Sequence, residues 1–196
     1  MFSNPVHAGP FYKPRNFAGD KVLPAAIRRV VLLPVFVGAA STAESAAMLD
    51  QVMLVALQKQ SRFEVVALSR EDSRRWFGAA EFSSVSALPH DYIAKITAKF
   101  AADAVIFMDL TVYKPYRPLA VGLRAKLAIP ADVRIIWTFD EIISAEDPGV
   151  TNSARRQFLE MDRSGQPLDL SPAVLQSPTR FATFAAESMF QTLPPR

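Results

Sequence analysis

The sequence predicts an α/β fold in a single domain: a mixed, mostly antiparallel sheet of about five strands, with helices packed mainly on one face. Three observations predict it. Val30-Val31-Leu32-Leu33-Pro34-Val35-Phe36-Val37 is short, almost wholly apolar and rich in β-branched residues, the signature of a strand buried on both faces. A capped amphipathic helix and a second short strand follow, so the chain opens as a βαβ unit or its split variant. Beyond Asp103 the strands lengthen and are separated by turn residues, which is hairpin order. With 196 residues, half of them hydrophobic and 21% charged, one domain can bury a core without disulfides or a structural metal.

Residues 1–26 read as an extended, Pro-rich arm, a tether, and residues 27–196 as the domain with its C-terminal helix. Asn4-Pro5, Gly9-Pro10, Lys13-Pro14 and Leu23-Pro24 punctuate the arm too often for a helix or a central strand. Phe2, Phe11, Tyr12 and Phe17 give it apolar side chains with which to dock on the domain surface. The first strand starts at Ile27, with Pro34 at a bulge or wherever no ladder donor is needed. Ser41-Thr42-Ala43-Glu44 is a capping-box pattern, the Ser41 hydroxyl accepting from an amide three residues on. Behind it Met48, Leu49, Val52, Val55 and Ala56 form one stripe of a helix ending near Gln60.

Phe63 to Leu68 is the second strand. Ser69 caps a short helix that Gly78 stops after Phe77. Leu88-Pro89-His90-Asp91 opens a helix to about Ala101, with Ile93, Ile96 and Phe100 on one face. Asp103 to Tyr113 is the third strand, and Lys114-Pro115-Tyr116-Arg117-Pro118 is turn chemistry. In the fourth strand Leu119, Val121, Leu123, Ala125, Leu127 and Ile129 face one way, while Ala120, Gly122, Arg124 and Lys126 face the other, so one side is covered. Pro130-Ala131-Asp132 turns into the fifth strand, Val133 to Ile143, which carries Trp137. Asp147-Pro148-Gly149 is a break before a helix around residues 151–162. Ser177-Pro178 opens the last helix, whose inward stripe is Phe181, Phe184, Ala185 and Ser188. Phe190 and Leu193 fall off that stripe and are candidate contacts with a neighbouring subunit.

Composition excludes several chemistries. With no cysteine there is no disulfide framework, no thiol catalysis and no sulfur-ligated zinc, and with only His7 and His90 there is no histidine-rich metal site. Seven scattered glycines build no phosphate cradle and no Walker motif. No apolar run reaches the roughly 18 residues of a membrane span. A net charge of +3 is too weakly basic to announce nucleic acid by itself. Asp140, Glu141, Glu146 and Asp147 cluster in sequence, but on a strand Asp140 and Glu141 point to opposite faces and do not converge on a cation. No cofactor is called for. The candidate binding surface is the basic hairpin, in which Tyr113, Lys114, Tyr116 and Arg117 are joined by Arg124 and Lys126 with no acid between residues 114 and 131. Such a patch suits an anionic headgroup, a glycan, a protein or single-stranded nucleic acid, whereas solvating an exposed sheet face would use the same residues.

The order of parts resembles a known group. A basic pair leads into Val30-Val31-Leu32-Leu33-Pro34-Val35, and a long helix is followed by Arg62-Phe63-Glu64-Val65-Val66. Ala102-Asp103-Ala104-Val105-Ile106 and a strand bearing Trp137 come later. Over residues 27–143 this is similar to the envelope lipoproteins related to the curli-secretion lipoprotein, the penicillin-binding-protein activator lipoprotein and the N-terminal domain of TolB. The resemblance implies a non-enzymatic protein, periplasmic and lipid-anchored to the outer membrane, serving as an adaptor or assembly module. Its partners would be envelope proteins or cell-wall components, and homo-oligomers are in character. It implies an acylated cysteine ahead of the arm, so Met1 is expected to stand where a leader and that cysteine would be. If Met1 is native, the protein is cytoplasmic. This class of α/β fold also resembles anticodon-binding domains, so a cytosolic nucleic-acid-binding domain is the first alternative. A hydrolase using His90 beside Asp91 is the second, though no nucleophile motif accompanies that pair.

Overall fold

The computed structural model describes residues 9–40, 42–161 and 173–196. One six-stranded sheet runs in the order β1-β6-β5-β4-β2-β3. Its strands are β1 (Phe17–Gly19), β2 (Arg29–Leu32), β3 (Glu64–Ala67), β4 (Ala104–Lys114), β5 (Ala120–Ile129) and β6 (Arg134–Ser144). β2 pairs in parallel with β3 and β4, and the remaining pairs are antiparallel. The mixed, mostly antiparallel sheet is as the sequence predicts. The sixth strand comes from the arm, where Phe17, Ala18 and Gly19 pair with β6 at the sheet edge.

β2 is apolar throughout because it lies at the centre of two cores. Val30 and Leu32 enter one, Val31 and Leu33 the other. Its ladder stops at Leu32, Pro34 interrupts it, and Phe36 rejoins β4 through a bridge to Asp109. Among the described residues five α-helices complete the fold: α1 (Ala43–Gln58), α2 (Arg70–Phe77), α3 (Tyr92–Phe100), α4 (Pro148–Met161) and α5 (Pro178–Phe190). α1, α4 and α5 cover one face of the sheet, over a core that includes Trp137, Phe139, Phe181 and Phe190. On the second face α2 and α3 cover only β2 and β4, closing a smaller core of Val31, Leu33, Leu68, Tyr92, Ile96, Val105 and Phe107. Farther along that face Ile135 and Ile142 stand exposed.

Local details depart from the sequence reading for physical reasons. The cap of α1 is Thr42, whose hydroxyl accepts from the Ser45 amide, while Ser41 lies outside the described residues. Its buried stripe is Leu49, Met53, Ala56 and Leu57, which leaves Val55 exposed. The stripe is rotated because α5 as well as the sheet packs against α1. Asp147-Pro148-Gly149 is the start of α4, since Pro148 suits a first helical position and Asp147 accepts from the amides of Gly149 and Thr151. The end of that expected helix, residue 162, lies outside the described residues. Phe190 and Leu193 offer no surface to a neighbour. Both are buried in the chain's own core, Phe190 stacked 6.2 Å from Trp137. α5 is apolar nearly all round because it is sandwiched between α1, α4 and the sheet.

Candidate functional site

The second face of the sheet carries the chemistry. At its centre Asp109 of β4 is only 3% exposed. A buried carboxylate needs its hydrogen bonds supplied by the protein. The loop between α2 and α3 supplies them: the Ser84 amide donates to Oδ1 at 2.8 Å, and the Ser83 and Ser84 hydroxyls donate to Oδ2 at 3.1 and 2.9 Å. Register places Arg124 of β5 opposite Asp109, and Arg124 Nε donates to Asp140 Oδ2 on β6 at 2.7 Å. Acid, base and acid thus alternate across three neighbouring strands, the favourable order for cross-strand pairs. One step along β5, Lys126 Nζ donates to the Ser84 carbonyl at 2.8 Å.

A second charge group fixes the end of β2. Arg70, which opens α2, bridges Asp50 of α1 and Glu81 and also donates to the Val35 carbonyl at 2.6 Å. Asp50 Oδ1 accepts from the Val35 amide at 2.8 Å, and Glu81 Oε1 from the amides of Val37 and Gly38 at 3.0 and 2.9 Å. Burial pushes the Asp50 carboxyl above its usual pKa, although Arg70 and the Val35 amide pull the other way. These groups satisfy backbone left unpaired where Pro34 breaks the strand, so the cluster is a clamp.

Between α3 and the β5–β6 turn runs a groove of about 1000 Å³. Phe107 and Ala128 form its floor, Leu88, Ile93, Ala94 and Thr97 one wall, and Val133 and Ile135 the other. Ser84 and Lys126 line one end, and Asp103 and Arg134 belong to the other. Asp103 accepts from the amides of Arg28 and Arg29 at 2.8 and 2.9 Å, and those bonds hold its carboxyl below the usual pKa. Arg134 pairs with Asp20 of the arm at 3.1 Å. Val133 holds φ at 50°, a region unfavourable for a β-branched residue, and is 94% exposed.

The six residues of the predicted hairpin patch separate into three places. Tyr113 faces the larger core beside α1, half-buried, and burial pushes its phenol pKa up. Arg124 and Lys126 share the opposite face, as the alternation predicts, but both are engaged within the chain. Lys114, Tyr116 and Arg117 sit together at the exposed β4–β5 turn, Tyr116 at 84% exposure, with Arg117 Nε donating to the Leu175 carbonyl at 3.3 Å. His90 stands 93% exposed with its Nδ1 2.7 Å from Asp91. Asp140 and Glu141 do face opposite ways, Asp140 to Arg124 and Glu141 to the amides of Arg15 and Asn16 in the arm. Among the described residues no group of three or more His, Cys, Asp or Glu could hold a metal ion.

Asp109, Asp50 and Glu81 are absent from the site that the sequence predicts. Asp109 does carry a signal, a lone acid in the apolar run Val105 to Val112, where burial demands partners. The groove carries no local signal, because its lining comes from segments far apart in the chain.

No protein-family model and no curated protein matches the chain. Among solved structures, the PelC dodecamer from Paraburkholderia phytofirmans is 10% identical with a TM-score of 0.45, over 69% of this chain and 86% of that one. Lipoprotein GNA1162 from Neisseria meningitidis is 16% identical with a TM-score of 0.45, over 71% and 96%. The LpoB C-terminal domain from Salmonella enterica is 16% identical with a TM-score of 0.41, over 62% and 87%.

Proposed function

We propose that the chain is a non-enzymatic cell-envelope module that recruits a partner protein through its β4–β5 turn. The observation that carries this reading is Tyr116, 84% exposed and flanked by exposed Lys114 and Arg117 at the tip of the β4–β5 hairpin. An aromatic ring with a polar tip and two adjacent cations is the residue chemistry of interface hot spots, and it suits an acidic partner surface. Arg124 serves the sheet, and Lys126 the α2–α3 loop and the groove beside it, rather than a protein partner. The order of parts over residues 27–143 supports the envelope setting. Because the arm is docked from Tyr12 onward, the residues ahead of it would carry the link to a lipid anchor, in the periplasm at the outer membrane.

The test is crosslinking capture from envelope fractions with the wild type and with Lys114→Ser, Tyr116→Ala and Arg117→Ser combined. The proposal expects the captured partner to be lost while the thermal melt stays in place. Retention of every partner by the triple variant overturns it. The anchor is tested separately, by the intact mass of the product of the complete gene. An acylated N-terminal cysteine is expected, and a water-soluble product beginning at Met1 would remove the envelope setting.

A further inference from the structure

The groove beside α3 lies at the opposite end of β5 from the recruiting turn, and its lining is chemically lopsided. Its walls and floor are apolar apart from Thr97, whose hydroxyl donates to the Ile93 carbonyl, and its volume of about 1000 Å³ is at the upper end of what small-molecule sites occupy. Two cations line it. Arg134 is neutralised by Asp20, whereas among the described residues no carboxylate pairs with Lys126. Lys126 is half-buried, and its ammonium, with three donors, meets one carbonyl, that of Ser84. Of the two acids in the lining, Asp103 is occupied by the Arg28 and Arg29 amides, and Asp132 is exposed to water on the turn. Among the lining residues the unmet charge is therefore positive, and it sits at one end of an apolar trough. From Lys126 to Pro130 the trough follows β5 for roughly 13 Å at the usual strand rise.

From this we infer that the groove binds a medium-chain fatty carboxylate. The acyl chain lies along Phe107, Ala128 and Ile135 under the flank of α3, and the carboxylate accepts from Lys126. Val133 forms the rim at the far end. A β-branched residue held at positive φ and left in water contributes nothing to folding there, whereas an apolar rim contributes to covering a chain. Water leaves the apolar trough as the chain enters, and one charge-assisted hydrogen bond sets the direction of binding.

Isothermal titration with dodecanoate below its micellar concentration tests this on the full chain. One saturable site is expected for dodecanoate, and none for butyrate or for dodecyltrimethylammonium, which has the same chain and the opposite charge. Lys126→Gln keeps a donor for the Ser84 carbonyl and should weaken dodecanoate about tenfold, the scale of one hydrogen bond to a charged group. Ala94→Trp, at an exposed position on the wall, should abolish binding with the thermal melt unchanged. Equal binding of the two dodecyl compounds, an unaltered Lys126→Gln variant, or an Ala94→Trp variant that still binds would each overturn the inference. A dimer in sedimentation that Ala94→Trp dissociates, with no dodecanoate uptake, would assign the groove to a second copy of the chain and overturn it as well.

Discussion

The two faces of the sheet are built from the same strands and finished differently. Strand alternation sends Leu123, Ala125 and Leu127 to one side and Arg124, Lys126 and Ala128 to the other. Three helices lie on the first side and two on the second. A helix is about 10 Å wide and strands are about 4.8 Å apart, so three helices span all six strands while two fall short. The first face can therefore be apolar across its central strands, with Glu141 only at the edge beside the arm. On the second, the apolar residues form an island under α2 and α3, and beyond it come the Asp109–Arg124–Asp140 series and the open groove. Helix count, set by the connections, thus decides which face of this fold is free for binding.

If the faces differ in energy as they do in cover, the contrast should be greatest between two residues of β6. Trp137→Ala, at a ring 1% exposed, should lower the unfolding free energy by about 3–5 kcal/mol. Ile135→Ala, on the open strip of the second face, should stay within about 0.5 kcal/mol. Urea titrations of both variants check this, and equal losses would mean that something covers Ile135 in solution. Next in size is Gly122→Ala. A Cβ there would fall against the Thr111 hydroxyl and 2.9 Å from the Val112 amide nitrogen, where β4 carries its bulge. The bulged strand has to move, which costs on the order of 1–3 kcal/mol. A neutral Gly122→Ala in the same titrations would show that the second face near the bulge is loosely packed.

The first face is largely legible in the sequence because its signals are local. Leu119 to Ile129 alternates and Ser177-Pro178 opens α5, each by a mechanism acting over a few residues. Pattern and structure part where a third element intervenes. Val55 reads as inward because the pattern assumes one packing partner for α1, and Phe190 as outward because a surface helix buries a single stripe. The second face is hard to read for a related reason. Asp109, Ser84, Arg124 and Asp140 belong to four segments that only register brings together. Tyr113 reads as a neighbour of Arg124, but the bulge between Leu110 and Val112 places it on the opposite face.

A smaller effect of opposite sign is expected at the groove rim. Val133→Gly relieves a left-handed β-branched residue and should stabilise the fold by about 1 kcal/mol. The same change strips the rim, so it should weaken dodecanoate binding. A variant that is stabilised and binds unchanged would separate the rim from the groove's function.

A last and slighter effect is one of pH, at the junction of β2 and β4. Asp103 has its carboxyl pKa lowered from 3.8 because the amides of Arg29 and Arg28 donate to it. A group depressed in the folded state contributes stability above its unfolded pKa and loses it as pH falls through the folded value. Asp50, raised by burial, acts in the other direction: its contribution is present below the usual value and declines as pH rises through the folded one. Asp103→Asn should therefore be less stable than the wild type at pH 7, and the gap should close as pH drops below the ordinary carboxylate range. Asp50→Asn should show no such closing gap. Melting temperatures between pH 3 and pH 7 distinguish the two. Parallel curves for Asp103→Asn and the wild type would mean that the Arg28 and Arg29 amides do not hold Asp103 in its charged form.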